Sequence, residues 1–162
     1  MQRVNLTDPP VAYDDTDPAE YRAGMFRFGK QLGAEQTGAS LYVLAPGVAL
    51  CPYHYEYAEE EWLLVLAGRP SVRTPGGVEE LAINDMVFFP RGPEGAHQVR
   101  NDSDAPARVL LWSTVVHPAA TAYPDSDKIG IFTGIEGEDV LVRRSSAVEY
   151  YDGERGGTAP SA

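Results

Sequence analysis

At 162 residues and 43% apolar side chains, the chain is long enough to bury a core of its own without disulfide or metal staples. Acidic residues outnumber basic ones 24 to 13, for a net charge of −11, which argues against nucleic-acid and anionic-membrane surfaces, since both demand a cationic face. A single cysteine, Cys51, leaves no intrachain disulfide, and the longest apolar run, Trp62 to Ala67, is far short of the roughly 20 residues of a membrane helix. With no apolar stretch of signal-peptide type at the N-terminus, the expectation is a cytoplasmic protein with neither nucleic acid nor membrane among its partners.

Taken in order, residues 1–22 carry Pro9, Pro10, Pro18 and several Asp, and read as an extended arm with at most one helical turn over 17–24. Alternation of apolar and polar residues from Met25 to Leu32 predicts a half-buried strand, and Ser40 to Ala45 a second, closed by Pro46-Gly47. Short apolar runs then recur at Ala49 to Tyr57, Glu61 to Ala67, Ser71 to Thr74, Val78 to Ile83, Met86 to Pro90, Ala96 to Arg100 and Ala107 to Thr114. Between them lie Gly68-Arg69-Pro70, Pro75-Gly76-Gly77, Asn84-Asp85, Arg91 to Gly95 and Asn101 to Pro106, all turn chemistry. Regular short strands with such punctuation predict an all-β sandwich or barrel over 23–115. Residues 116–154 read as a C-terminal extension docking on it, with a loop at Val115 to Asp127, strands at Ile129 to Thr133 and Val140 to Arg143, and a disordered tail at 155–162.

The chemistry concentrates in two stretches, Pro46 to Gly68 and Asn84 to Asn101. His54 and Glu56 stand two apart, so on a strand they project from one face. Glu61 opens the densest apolar run, where an unpaired carboxylate would be costly, and His97 follows a Gly/Pro-rich turn. Imidazoles and carboxylates brought together from separate strands suit a transition metal, so the residues predict a metal-holding β-barrel. Glu59, Glu60, Arg91 and His117 are expected at the surface, Cys51 as a buried structural thiol, and Phe88, Phe89 and Trp112 in the core. Trp62, Leu64 and Leu66 oppose Glu61, Leu63 and Val65; a strand apolar on both faces is covered on both, which points to a homodimer.

These two stretches resemble the paired motifs of the cupin superfamily, small double-stranded β-helix (jelly-roll) proteins. In the first, Gly47 sits one residue early, while His54, Glu61 and Gly68 fall at the family's spacing; in the second, Asn84 replaces a glycine, Pro90-Arg91-Gly92 fits, His97 comes two residues late and Asn101 follows at the expected interval. Further similarity to a group of small bacterial single-domain cupins lies in 123–128 and 149–154. The resemblance implies a jelly-roll cupin barrel and, position by position, the metal ligands His54, Glu56, Glu61 and His97, with Glu56 standing where the family usually has its second histidine. Two imidazoles and two carboxylates neutralise a divalent ion and favour Fe, Mn, Zn or Ni over Cu(I); with Glu56 swung aside, the remaining two-His, one-carboxylate set is that of non-haem Fe(II) oxygenases. A Glu56 left free is a candidate general base for an isomerase or lyase. The implied function is a divalent-metal-dependent enzyme, dioxygenase or isomerase/lyase in type, acting on a small molecule inside the barrel. A non-catalytic module that binds a small ligand there, and an inert barrel, stand as the alternatives.

Overall fold

The computed structural model describes residues 1–154 and 156. The tail expected to be disordered, 155–162, lies outside the described residues except for Gly156. Twelve strands carry the fold: β1 (Gly24–Phe26), β2 (Thr37–Leu44), β3 (Tyr55–Glu56), β4 (Glu61–Ala67), β5 (Ser71–Thr74), β6 (Gly77–Glu80), β7 (Met86–Phe89), β8 (Gln98–Arg100), β9 (Ala107–Thr114), β10 (Ala119–Tyr123), β11 (Lys128–Phe132) and β12 (Val140–Arg143). A single turn of helix, α1 (Phe28–Gln31), follows β1.

One layer is a five-stranded antiparallel sheet in the order β1-β2-β9-β4-β7. A three-stranded sheet, β6-β5-β8, and a four-stranded one, β12-β11-β10-β3, form the other side. The irregular segment 49–56 laces these two together through the bridges Ala49 to Arg100 and His54 to His97. Neighbours distant in sequence, such as β9 between β2 and β4, give the crossing connections of a jelly roll. Alternation on β9 explains the layering: Ala107, Val109 and Leu111 are buried while Arg108, Leu110 and Trp112 are only half-buried. Leu44, Leu63, Val65 and Val109 from the large sheet meet Val72 and Val99 from the small one in a single core.

Several elements differ from the expectation. The alternating stretch after Met25 stops being a strand at Phe26, and α1 lies flat on β2: a Cβ on Gly29 would come within 2.7 Å of Ala39 N. In Ala49 to Tyr57 only Tyr55–Glu56 is strand, since Pro52 has no N–H to give a ladder. Conversely, the expected loop after Val115 contains β10, whose sequence Ala-Ala-Thr-Ala-Tyr is too uniformly small to show alternation but pairs with both β3 and β11. In the N-terminal segment, Ala19–Tyr21 make one 3-10 turn, Ala12 bridges Met25, and Ala49 N–H donates to Glu20 O at 2.8 Å.

Candidate metal centre

His54 and His97 are delivered by the bridge that joins them across the small sheets: each backbone N–H donates to the other's carbonyl, at 3.0 and 2.8 Å. Their rings are then pinned in the same way. Nδ1 of His54 lies 2.9 Å from Pro52 O and Nδ1 of His97 lies 2.9 Å from Gly95 O. A carbonyl accepts only, so each Nδ1 carries the proton of that bond and each Nε2 faces inward, where a metal would take the place of any proton on it. Phe89 stacks on His97 at 3.7 Å between centroids, closing that side. Gly95 makes the turn possible, because a Cβ there would fall 1.7 Å from Pro90 O.

Glu61, at the start of β4, aims Oε2 at both rings, 3.2 Å from His97 Nε2 and 4.0 Å from His54 Nε2. Ligand atoms of His54, Glu61 and His97 all lie within 4.8 Å of one another, and the three could hold a metal ion. Two ligands each about 2.1 Å from an ion stand about 3.0 to 3.4 Å apart for right-angle to tetrahedral geometry; the 3.2 Å between Glu61 Oε2 and His97 Nε2 lies in that range and the 4.0 Å to His54 Nε2 lies beyond it. Glu61 Oε2 and His97 Nε2 are buried without a hydrogen-bond partner. Two such orphans cost about 1–3 kcal/mol each unless something unites them, and a shared cation does so. The donor set fits a divalent transition metal.

Glu56 is held differently. Its Oε1 is 3.4 Å from His54 Nε2, on the same face as expected for residues two apart, but its Oε2 accepts a 2.5 Å hydrogen bond from Thr121 Oγ1 on β10. Burial pushes the Glu56 carboxyl up, but the bonds from His54 and Thr121 outweigh it and hold its pKa below the ordinary value, so it is ionised at neutral pH. Thr121 was invisible in the sequence because only the pairing of β10 with β3 sets it opposite Glu56.

A cavity of about 450 Å³ opens beside the centre, walled by His54, Glu56, Thr121, Tyr42, Tyr123 and Arg27 among others. Cys51, half-buried with its sulfur 3.5 Å from His54 Nδ1, and Glu59, half-buried and accepting the Val116 N–H at 2.9 Å, also line it, as does His117, which is exposed as expected. Glu60 is half-buried, and Arg91 keeps to the surface, 3.6 Å from it. Asn101, buried, braces the turn beyond β8 by donating to Leu44 O and Ala105 O.

The family described as a cupin domain matches residues 40–113. Among solved structures the chain is similar to a sugar phosphate isomerase of the cupin superfamily from Silicibacter pomeroyi, at 22% identity over 93% of this chain and 98% of that one, with a TM-score of 0.79. It is also similar to a candidate sugar phosphate isomerase from Acidithiobacillus ferrooxidans, at 24% identity over 80% and 81% of the two chains and a TM-score of 0.73. A third likeness is to the polyketide cyclase RemF from Streptomyces resistomycificus, at 23% identity over 70% and 79% and a TM-score of 0.59. At these identities the likeness is one of fold. No match is found among curated proteins. The cupin-domain match over residues 40–113 spans both motifs, and the jelly-roll strand order around them is that of the cupin fold.

Proposed function

We propose that this cupin is a divalent-metal-dependent enzyme that acts on a small molecule by proton transfer, of isomerase or lyase type, with His54, Glu61 and His97 as metal ligands and Glu56 as general base. The observation that carries the reading is the convergence of two imidazoles, each pinned through Nδ1, on a carboxylate oxygen that is buried with no partner of its own. Bound there, Fe, Mn, Zn or Ni would supply Lewis acidity, polarising a carbonyl or hydroxyl oxygen.

The protein's own groups do the rest. Pro52 O and Gly95 O hold the histidine tautomers, and Phe89 keeps water from the back of His97. Thr121 donates to Oε2 of Glu56 and holds that carboxylate on the cavity wall, where Oε1, 3.4 Å from His54 Nε2, would accept a substrate proton. That placement puts a base beside the substrate space and so supports acid–base chemistry, while the two-His, one-carboxylate set around the ion is the one non-haem Fe(II) oxygenases use. If Glu56 instead joins the ion, the set becomes two histidines and two carboxylates. A homodimer belongs to the same proposal, supported by the apolar outer face of the large sheet, where Trp62, Met86 and Phe88 are exposed.

Elemental analysis of protein purified without chelators tests the centre. One equivalent of a divalent transition metal is expected in the wild type and almost none in His97→Ala or Glu61→Ala. Full occupancy in either variant would falsify the ligand set, and no metal in the wild type after reconstitution would leave the barrel a binding module.

A further inference from the structure

The cavity wall beside the centre carries one guanidinium. Arg27 follows β1 directly, and its side chain lines the same space as His54, Glu56 and Thr121. Its only polar contact among the described residues is a 3.4 Å approach of Nε to Met25 Sδ, a weak acceptor. Arg22, Arg69, Arg73, Arg91 and Arg100 each have a carboxylate within 4.0 Å, and Arg108, Arg143 and Arg144, which do not, bond Leu6 O, Ser126 O and the Tyr57 hydroxyl. Arg27 is exposed, and its guanidinium lines a cavity whose wall also carries Glu56 and Glu59, with neither of which it pairs. Tyr42 lines the same cavity wall as Arg27 and His54.

We propose that Arg27 anchors an anionic head group, and that the substrate is a small organic oxyanion, a phosphate monoester or a carboxylate, whose far end reaches Glu56. This rests on the reading of the centre given above. A guanidinium presents paired N–H donors that match two oxygens of either anion. Glu56 and Glu59, the acidic groups on the wall, repel negative charge, so such a molecule enters in one orientation only, head toward Arg27 and carbonyl- or hydroxyl-bearing end toward Glu56. The volume, about 450 Å³, is that of a pocket for a small metabolite. The positive head-group site also offsets the repulsion that a protein of net charge −11 exerts on any incoming anion.

Isothermal titration of the metal-loaded protein with glucose 6-phosphate, gluconate and glucose tests this. At least one anion is expected to bind at one per chain and glucose not to bind; which anion binds tells phosphate from carboxylate recognition. Arg27→Gln should weaken that binding by about tenfold or more at unchanged metal content and Tm, with Arg27→Lys intermediate. Repeating the titration on chelator-treated protein separates the two readings, because the contrast between wild type and Arg27→Gln persists there whether or not a metal belongs to the centre. Equal binding of glucose, no binding of either anion, or undiminished binding by Arg27→Gln overturns the proposal.

Discussion

Thr121 and Glu56 form the contact in this site that is easiest to probe one atom at a time. The threonine hydroxyl donates to Glu56 Oε2 at 2.5 Å, and with the His54 contact it holds the carboxyl below its ordinary range against the upward push of burial. Thr121→Val keeps the shape of the side chain and removes the donor. Its expected effects are a rise in the Glu56 pKa, read by carbon NMR of the carboxyl, and a loss of about 1–2 kcal/mol in stability by denaturant titration. An unchanged carboxyl titration would show that the hydroxyl does not hold Glu56. At this scale His54, Glu61 and His97 were legible from residue type and spacing, and the chain brings all three together. Arg27, Tyr42, Thr121 and Tyr123 were not, because a lone arginine, threonine or tyrosine bears no local mark of facing a cavity.

Among the elements, the turn Pro93–Gly95 and the strand β4 position the site from opposite sides. The turn is tied to β3 by Gly92 N–H donating to Glu56 O at 2.7 Å, and its last residue accepts from His97 Nδ1. Gly95→Ala drives a methyl against Pro90 O, so it should cost about 1–3 kcal/mol and lower metal affinity together; a fully stable variant with full metal would refute the role of the turn. Strand β4 carries Glu61, Leu63 and Val65 inward, the last two fully buried, and Trp62 outward beside Phe88 and parallel to Trp112 at 6.2 Å between centroids. Phe88, expected in the core, is 41% exposed on that outer face, whereas Phe89 is buried against His97. If a second copy covers this face, Trp62→Glu places a charge in the interface. Light scattering after size exclusion should then give half the wild-type mass, and a monomeric wild type would dismiss the dimer.

For the molecule as a whole, metal and protons compete for the same lone pairs. Burial disfavours charge on His54, but the Cys51 sulfur and the Glu56 carboxylate outweigh it and lift its pKa from 6.5 to about 12. In metal-free protein a raised folded pKa contributes stability that is complete below the unfolded value of 6.5 and declines as pH rises toward 12. Glu56, depressed from 4.5, contributes stability that is present above 4.5 and is lost as pH falls through its folded pKa. Chelator-treated protein should therefore have its highest Tm between pH 4.5 and 6.5. Metal needs a neutral imidazole, so the stability gain on loading should widen from pH 6 to pH 8, toward about 4 kcal/mol at a thousandfold excess over Kd, read as a growing rise in Tm. A gain that shrinks with pH would contradict ligation by His54. No helix among the described residues is long and apolar enough to cross a membrane.

By itself the chain's sequence determined the all-β class, the positions of β4, β5, β9 and β12, and the histidines and carboxylate that meet. Each of these is written in local terms: alternation, turn residues, and spacing along one strand. Tertiary structure alone decided that β10 is a strand, that Glu56 is held by Thr121, that Phe88 and Phe89 part to opposite faces, and that Cys51, Glu59 and His117 border a cavity. Those outcomes depend on which distant strand lies alongside. Pairing of residues some 65 apart, as between Glu56 and Thr121, is set by the packing of the whole barrel and leaves no periodic trace in either segment.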